Sequence, residues 1–562
     1  MSTTSARSHG HLGRRPAALA AALTVSAIST AFVLAGCAGG SDAGTASSGT
    51  GTPTAGGTLT WGVETEPTTL NPQLNGQDKT KLLLRNSYEQ LLARQDDGTY
   101  VPWLASGYKV SDDELTYTFT IRDGVTFWDG STLDAAAVVT NIKQVLNPKY
   151  NPYGSSGPLS HLKSATATDA RTVTLVLKEK YAPFLDYVGS LALISPKSYA
   201  KADVQAGGPD VAGTGPFVLS KYVKGQELDF TKNAHYDWAP ATAKHQGAAY
   251  LDALTYRFLP ESSVRLGALQ SGQVDVVEGV PGTQAAQFQK DSRFTYQTAL
   301  NTGTPYSLYF NTLESPTSDV RVRQAFRDAV DLDAVLKSVY AGQRTRAWSA
   351  VSPADPTFYD KSLEGTYGND KDAANTLLDE AGWTGRDSEG YRTKDGKRLT
   401  ITDYQSKPYV RDQRDTLLQA VQAQVKQNAG IDFDVQVVDS GVSDQHRAKN
   451  DYGTYDNSNT NPDGVDIEYH WLPAAKGGFI NLSNATDPQL TTWLTAAQQT
   501  TDTAKRAEAY DALQQYVITD KAYSFPLYEP EDEIAASSTV HGVGFRTYYQ
   551  LPESAYDVWL SK

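Results

Sequence analysis

The sequence predicts a mixed α/β fold of more than one domain, on three observations. Residues 115–121 alternate, with Leu115, Tyr117, Phe119 and Ile121 on one side and three threonines on the other, the period of a half-buried strand. Residues 319–330 place Val322, Ala325, Phe326, Ala329 and Val330 at helical spacing. At 562 residues the chain is long enough for several domains, and after residue 37 it holds no apolar run long enough to span a bilayer.

The elements follow in order. After the strand at 115–121, Arg122-Asp123-Gly124 is a turn, 125–128 a second strand and Asp129-Gly130 a second turn. Thr132 is the expected cap of a helix whose apolar face is Val138, Val139, Ile142, Val145 and Leu146, with Pro148 beyond its end. A hairpin is expected from 217–222 and 227–231 around Lys224-Gly225, then a strand at 254–259. Ser262 or Ser263 should cap a short helix ending near Gly272, before a strand at 274–277. A strand at 306–310 feeds the helix at 319–330, whose start Asp319 favours through the helix dipole. Asp331 begins the next helix, which stops at Gly342. No short internal repeat is present.

The first 36 residues read differently. Arg7, Arg14 and Arg15 precede a nearly apolar stretch at 17–35, in the order of an export signal. Cys37, the one cysteine in the chain, follows Leu34-Ala35-Gly36 and resembles the lipobox of bacterial lipoproteins. That resemblance implies cleavage before Cys37, its lipidation, and a tether to the outer face of the cytoplasmic membrane. Residues 38–56 hold no large apolar side chain and are expected to be a disordered tether of about 25 Å root-mean-square span. The whole chain carries a formal charge of −14, and without its three leader arginines it stands near −17. This balance argues against nucleic acid and against a basic membrane-binding patch. With Cys37 consumed by lipid, disulfides, thiolate catalysis and cysteine zinc sites are excluded.

Four blocks resemble the family 5 extracellular solute-binding proteins of ABC importers, which include dipeptide-, oligopeptide- and nickel-binding members. They are YEQLLARQDDGTYVPWLASGYKVSDDELTYTFTIRDGVTFWDGSTLDAAAVV at 88–139; GTGPF at 213–217 with 233–238; DVRVRQAFRDAVD at 319–331 with Gly342; and DAANTLLDEAGW at 372–383, ending on Trp383, read as a core residue. The resemblance implies a two-lobed α/β fold of the periplasmic-binding-protein type II class, hinged around a solute. Lobe I would comprise 57–300 and 525–562, with an extra subdomain at 93–190, and lobe II 301–524. It implies a monomeric, non-enzymatic receptor without a cofactor, partnered by the permease and ATPase of an ABC transporter.

Candidate ligand contacts come from the same resemblance. Peptide-binding members hold the α-ammonium with an acidic residue in a D-P-D-like loop. The matching stretch here is 459–466, where Asn461 replaces the first acid and Asp463 and Asp466 remain. The loop is either this anchor or a solvated turn of Asn, Pro and Gly. Lys407, in Ser406-Lys407-Pro408-Tyr409, is the candidate cation for a ligand carboxylate, against the reading of a surface lysine. Tyr306, Trp348 and Trp471 are candidate aromatic linings, against the reading of core residues. The six histidines after the leader form no H-x-H or H-x-x-x-H pair, which disfavours a bare metal site.

A peptide receptor is thus the leading function. A receptor for an opine, a sugar derivative or a metal chelate stands beside it. A secreted hydrolase is a third reading, although the chain holds no G-x-S-x-G, no H-E-x-x-H and no cysteine nucleophile.

Overall fold

The computed structural model describes residues 51–561 apart from 75, 96, 152–156, 462, 474–477, 479, 547, 549 and 551. Cys37 and the expected export signal lie outside the described residues.

The chain begins lobe I with strand β1 (Thr58–Val63) and helix α1 (Asp78–Arg85). It then builds a four-stranded antiparallel sheet from β2 (Ala105–Val110), β3 (Thr116–Ile121), β4 (Leu162–Ala167) and β5 (Thr172–Leu177), in the order β2-β3-β5-β4. In β3 the alternation holds, since Tyr117, Phe119 and Ile121 are buried and the threonines between them are not. Helix α2 (Ala135–Val145) packs on this sheet. The hairpin of β6 (Phe217–Val223) and β7 (Glu227–Lys232) turns at Gly225, whose φ of 72° is left-handed. β8 (Ala253–Phe258), helix α3 (Ser262–Gln270), β9 (Val276–Glu278) and β10 (Phe294–Leu300) follow.

Lobe II starts with β11 (Thr304–Phe310), then helices α4 (Val320–Asp328), α5 (Leu332–Tyr340) and α6 (Lys371–Glu380). It continues with β12 (Thr400–Ser406), α7 (Arg414–Ala429), β13 (Asp432–Val438), β14 (Thr454–Asn459) and α8 (Val465–Trp471). Helices α9 (Pro488–Gln498) and α10 (Thr503–Gln515) lead to β15 (Ser524–Tyr528). These strands form a five-stranded sheet in the order β13-β12-β14-β11-β15. The chain then returns to lobe I as β16 (Glu531–Ser537), completing a seven-stranded sheet ordered β10-β16-β9-β1-β8-β7-β6. β1 is central and parallel to both β8 and β9.

Each lobe has its own core. Leu59, Trp61, Phe119 and Tyr256 belong to one cluster, which also serves the extra subdomain. Leu308, Phe326, Val421 and Leu494 belong to the other, and Trp383 lies in it as expected. The two sheets are joined by two short crossings, residues 301–303 and 529–530. Gly303 has φ 95°, and a Cβ there would lie 2.3 Å from the Asn459 carbonyl oxygen, so only glycine fits that crossing.

Several expectations need correction. Residues 125–128 form no strand; Thr126 makes only an isolated bridge to Thr132. The cap of α2 is Asp134 rather than Thr132, because its side chain reaches the Ala137 N–H at 2.8 Å. Neither Ser262 nor Ser263 caps α3, which starts at Ser262 after Glu261. Asp319 and Asp331 do cap their helices, accepting from the N–H groups of Arg321 and Ala334. The expected return to lobe I at 525 falls inside β15, whose Phe525, Leu527 and Tyr528 belong to the lobe II core. The end of the expected tether is held, since Thr54 donates to the Leu560 carbonyl and the Gly56 N–H to that of Tyr250.

Candidate functional site in the gap between the lobes

A cavity of about 280 Å³ lies between the lobes. On the lobe I side α1 presents Lys81 and Arg85, joined by Tyr187, Ser190 and Arg546; on the lobe II side stand Thr460 and Asn461. A wider cavity of about 430 Å³ separates the extra subdomain, with Arg94, Tyr117 and Leu185, from Asp463 and Arg506 of lobe II. A third, of about 140 Å³, runs into lobe I; it shares Arg85, Gln90 and Arg546 with the first and Arg94 with the second. The three therefore meet at shared walls.

Helix α1 orients its charges along its own dipole, with Asp78 in the first turn and Arg85 in the last. Asp78 bridges the gap: it binds Lys81 at 2.6 Å and accepts from the Thr460 N–H at 3.0 Å. Arg85 pairs with Glu553 at 2.9 Å. Against the cost of desolvation, Arg85 and Arg546 hold the Glu553 carboxyl below the usual range. Arg94 pairs with Asp186 at 2.8 Å and lies 3.8 Å from the centre of the Tyr548 ring.

The two loop acids have different duties. Asp463 sits at φ 73°, accepts from Arg506 at 2.8 Å and lines the wider cavity. Burial pushes its carboxyl up, while Arg506 and Arg94 pull it down. Asp466 is buried in the first turn of α8 and spends both oxygens on Asn461, accepting from its main-chain N–H at 3.0 Å and its amide at 2.7 Å. Burial pushes the Asp466 carboxyl up to about 7. Asp466 thus fixes the residue that lines the inner cavity, and Asp463 faces the outer one.

The other candidates fall elsewhere. Tyr306 is fully buried in β11, where its hydroxyl donates to Asp456 at 2.7 Å and Arg414 stacks on its ring at 4.1 Å. Trp471 lies in the lobe II core against Tyr309. Trp348 packs on that core beneath Arg346, which lies 3.5 Å from its ring centre. Lys407 stands at the surface, paired with Asp439 at 3.0 Å. Sequence reading missed Lys81, Arg85, Arg94, Arg546 and Asp78. For Asp78, Lys81 and Arg85 the signal was the charge pattern of α1; Arg94 and Arg546 carried none.

Beside the site, Glu89 accepts four hydrogen bonds: from the indoles of Trp103 and Trp238, and from the hydroxyls of Thr214 and Tyr236. Burial pushes its carboxyl up to about 7. Among the described residues no group of three or more His, Cys, Asp or Glu is placed to hold a metal ion, and no helix is long and apolar enough to cross a membrane.

A family model described as bacterial extracellular solute-binding proteins, family 5 Middle, matches residues 99–478. Protein XP55 of Streptomyces lividans is 33% identical over 475 residues, covering 83% of this chain and 82% of that protein. The glutathione-binding protein GsiB of Salmonella paratyphi A is 30% identical over 325 residues, covering 56% of this chain and 60% of that protein. The oligopeptide-binding protein AppA of Bacillus subtilis, solved with a nonapeptide, has a TM-score of 0.78 at 24% identity, over 91% of this chain and all of that one. That likeness carries the fold.

Proposed function

We propose that this chain, which belongs to the bacterial extracellular solute-binding proteins of family 5, captures a short peptide between its lobes. Membership makes it a non-enzymatic, extracytoplasmic substrate-binding protein of an ABC importer; the peptide is the proposal. The observation that carries it is the division of charge along the gap. Lys81, Arg85 and Arg546 line the inner cavity, with no carboxylate among the described residues that line it, whereas the outer one carries Asp112, Glu114 and Asp463 beside Arg94 and Arg506. A peptide with free termini matches this, its carboxylate toward the arginines and its ammonium toward Asp463, and charge-assisted hydrogen bonds then orient it without reading its side chains. The cavities, about 280 and 430 Å³, suit a ligand at the small end of the usual range of roughly 300–1,000 Å³. A glutathione-binding relative and an oligopeptide-binding structural neighbour support the same class.

Native mass spectrometry of the protein purified from its own cells, followed by release of the bound species, tests the reading. Peptides of two or three residues are expected. A released opine, sugar derivative or metal chelate would replace them as the ligand and leave the family untouched.

The membrane tether is the second part of the proposal. Lipidation of Cys37 rests on the Leu34-Ala35-Gly36-Cys37 sequence after the apolar run. Cys37→Ala is expected to release the protein into the medium or to leave the precursor uncleaved, as fractionation and intact mass will read. A variant that stays membrane-bound at the mature mass of the unaltered protein contradicts the tether.

A further inference from the structure

The gap is closed by more than the walls of the ligand cavity. Beside the two crossings, Arg344 of lobe II donates to Glu531 of β16 at 3.3 Å; farther out, four more hydrogen bonds cross the gap among the described residues. The Asp78 bond to the Thr460 N–H comes from α1. The other three come from the extra subdomain: the Tyr181 hydroxyl donates to Glu468 at 3.0 Å, the Ala182 N–H to the Gln498 carbonyl at 2.7 Å, and Glu114 accepts from Thr501 at 3.0 Å. Tyr181 and Glu468 are both buried, 3% and 2% exposed, and neither lines any of the three cavities of the gap. The Tyr181 ring is fixed from behind by His161, stacked at 4.1 Å and itself paired with Glu179. Glu468 is fixed within lobe II by Gln498 at 3.0 Å and by the Tyr510 hydroxyl at 3.3 Å.

We propose that the Tyr181–Glu468 bond is a clasp by which the extra subdomain holds lobe II shut, making both positioning residues that set ligand retention without touching the ligand. The bond exists only while the lobes are together, because its donor and acceptor belong to different lobes. Opening returns a carboxylate and a phenol to water; closing must repay the desolvation of both with this one hydrogen bond and its neighbours. The clasp populates the closed form even in the ligand-free chain, and any ligand adds to it. The inference rests on capture between the lobes and does not depend on the ligand being a peptide.

The clasp also couples closure to pH. Burial pushes the Glu468 carboxyl up to about 7; the Gln498 and Tyr181 hydrogen bonds and the Arg506 charge pull it down, and the Asp463 charge pushes it up. Tyr510 and Tyr469 are the other titratable groups facing it, and both are held protonated by burial. The part of this burial supplied by Tyr181 and its subdomain is lost on opening, so under this proposal the closed form binds the Glu468 proton more tightly than the open form. Closure is favoured below the ordinary glutamate range and is lost as pH rises through about 7.

Single-molecule energy transfer on the full chain reads the closed-to-open ratio. Dyes are placed at Val264→Cys in lobe I and Val442→Cys in lobe II, both exposed, with Cys37→Ser removing the remaining thiol. Tyr181→Phe, which deletes one hydroxyl, is expected to lower the ligand-free ratio roughly tenfold while leaving the melting temperature of the open form unchanged. The ratio should fall between pH 6 and pH 8, and Glu468→Gln should remove the part of that fall owed to Glu468. Equal ratios with and without the Tyr181 hydroxyl overturn the clasp, including a closed form absent from both proteins. A pH response identical in Glu468→Gln overturns the coupling. Either failure leaves the peptide reading standing, because native mass spectrometry tests that separately.

Discussion

Arg85→Ala is expected to weaken the binding of the proposed peptide by about 2–5 kcal/mol, the cost of stripping one partner from a buried charge pair. The guanidinium sits at the end of α1, beside the cavity and 2.9 Å from Glu553. Without it Glu553 loses a cation on the side of the ligand carboxylate, and only Lys81 and Arg546 remain to offset the repulsion between the two carboxylates. Calorimetry reads the loss, which should fall mainly on the dissociation rate. Arg85→Lys keeps the charge and forfeits the planar fork, so it should lose less. An Arg85→Ala protein of unchanged melting temperature that binds within twofold of the original contradicts the carboxylate clamp.

Arg506→Ala destabilises the protein by about 3–5 kcal/mol at neutral pH, because it leaves the Asp463 carboxylate buried without its cation. Arg506 does more than pair with that carboxylate at 2.8 Å. It donates to the Asp463 carbonyl, also at 2.8 Å, and its guanidinium lies 4.9 Å from the Phe358 ring centre. The strained φ of Asp463 is thus held from two sides. Burial already pushes the Asp463 carboxyl up, and losing Arg506 pushes it further, so the damage shrinks at acid pH, where the group is neutral. Urea unfolding at pH 7 and pH 5 measures this, and adding Asp463→Asn should recover part of the loss. A cost below about 1 kcal/mol at pH 7 would mark the pair as solvent-exposed in effect.

What the sequence made legible were the local periods and the four family blocks. The blocks now have a physical reason to travel together. Glu89 of the first block is gripped by Trp103 of the same block, by Thr214 of the second, and by Tyr236 and Trp238 of the segment that follows it. One buried carboxylate that must be satisfied ties distant segments into one pattern. The helices capped by Asp319 and Asp331 were legible for the same local reason.

The site was less legible because no period or motif records it. Arg85 and Arg546 meet through the fold alone, at opposite ends of lobe I's discontinuous sequence. Tyr306 misled for a different reason. β11 lies between β14 and β15 and is buried along its whole length, so no alternation marks a face open to the gap. Trp471 likewise ends a helix buried on nearly every side. Asp463 and Asp466 were found, but their spacing could not reveal that one carboxylate faces a cavity while the other braces Asn461.

The peptide proposed for the gap has its carboxylate against Arg85 and Arg546. The most direct measurement is calorimetric titration with a panel of di- and tripeptides and their C-terminal amides. Free-carboxylate peptides should bind, and each amide at least tenfold more weakly, the loss being concentrated in dissociation. Amides that bind as tightly as the free acids, or a panel in which no peptide binds, would contradict the proposal.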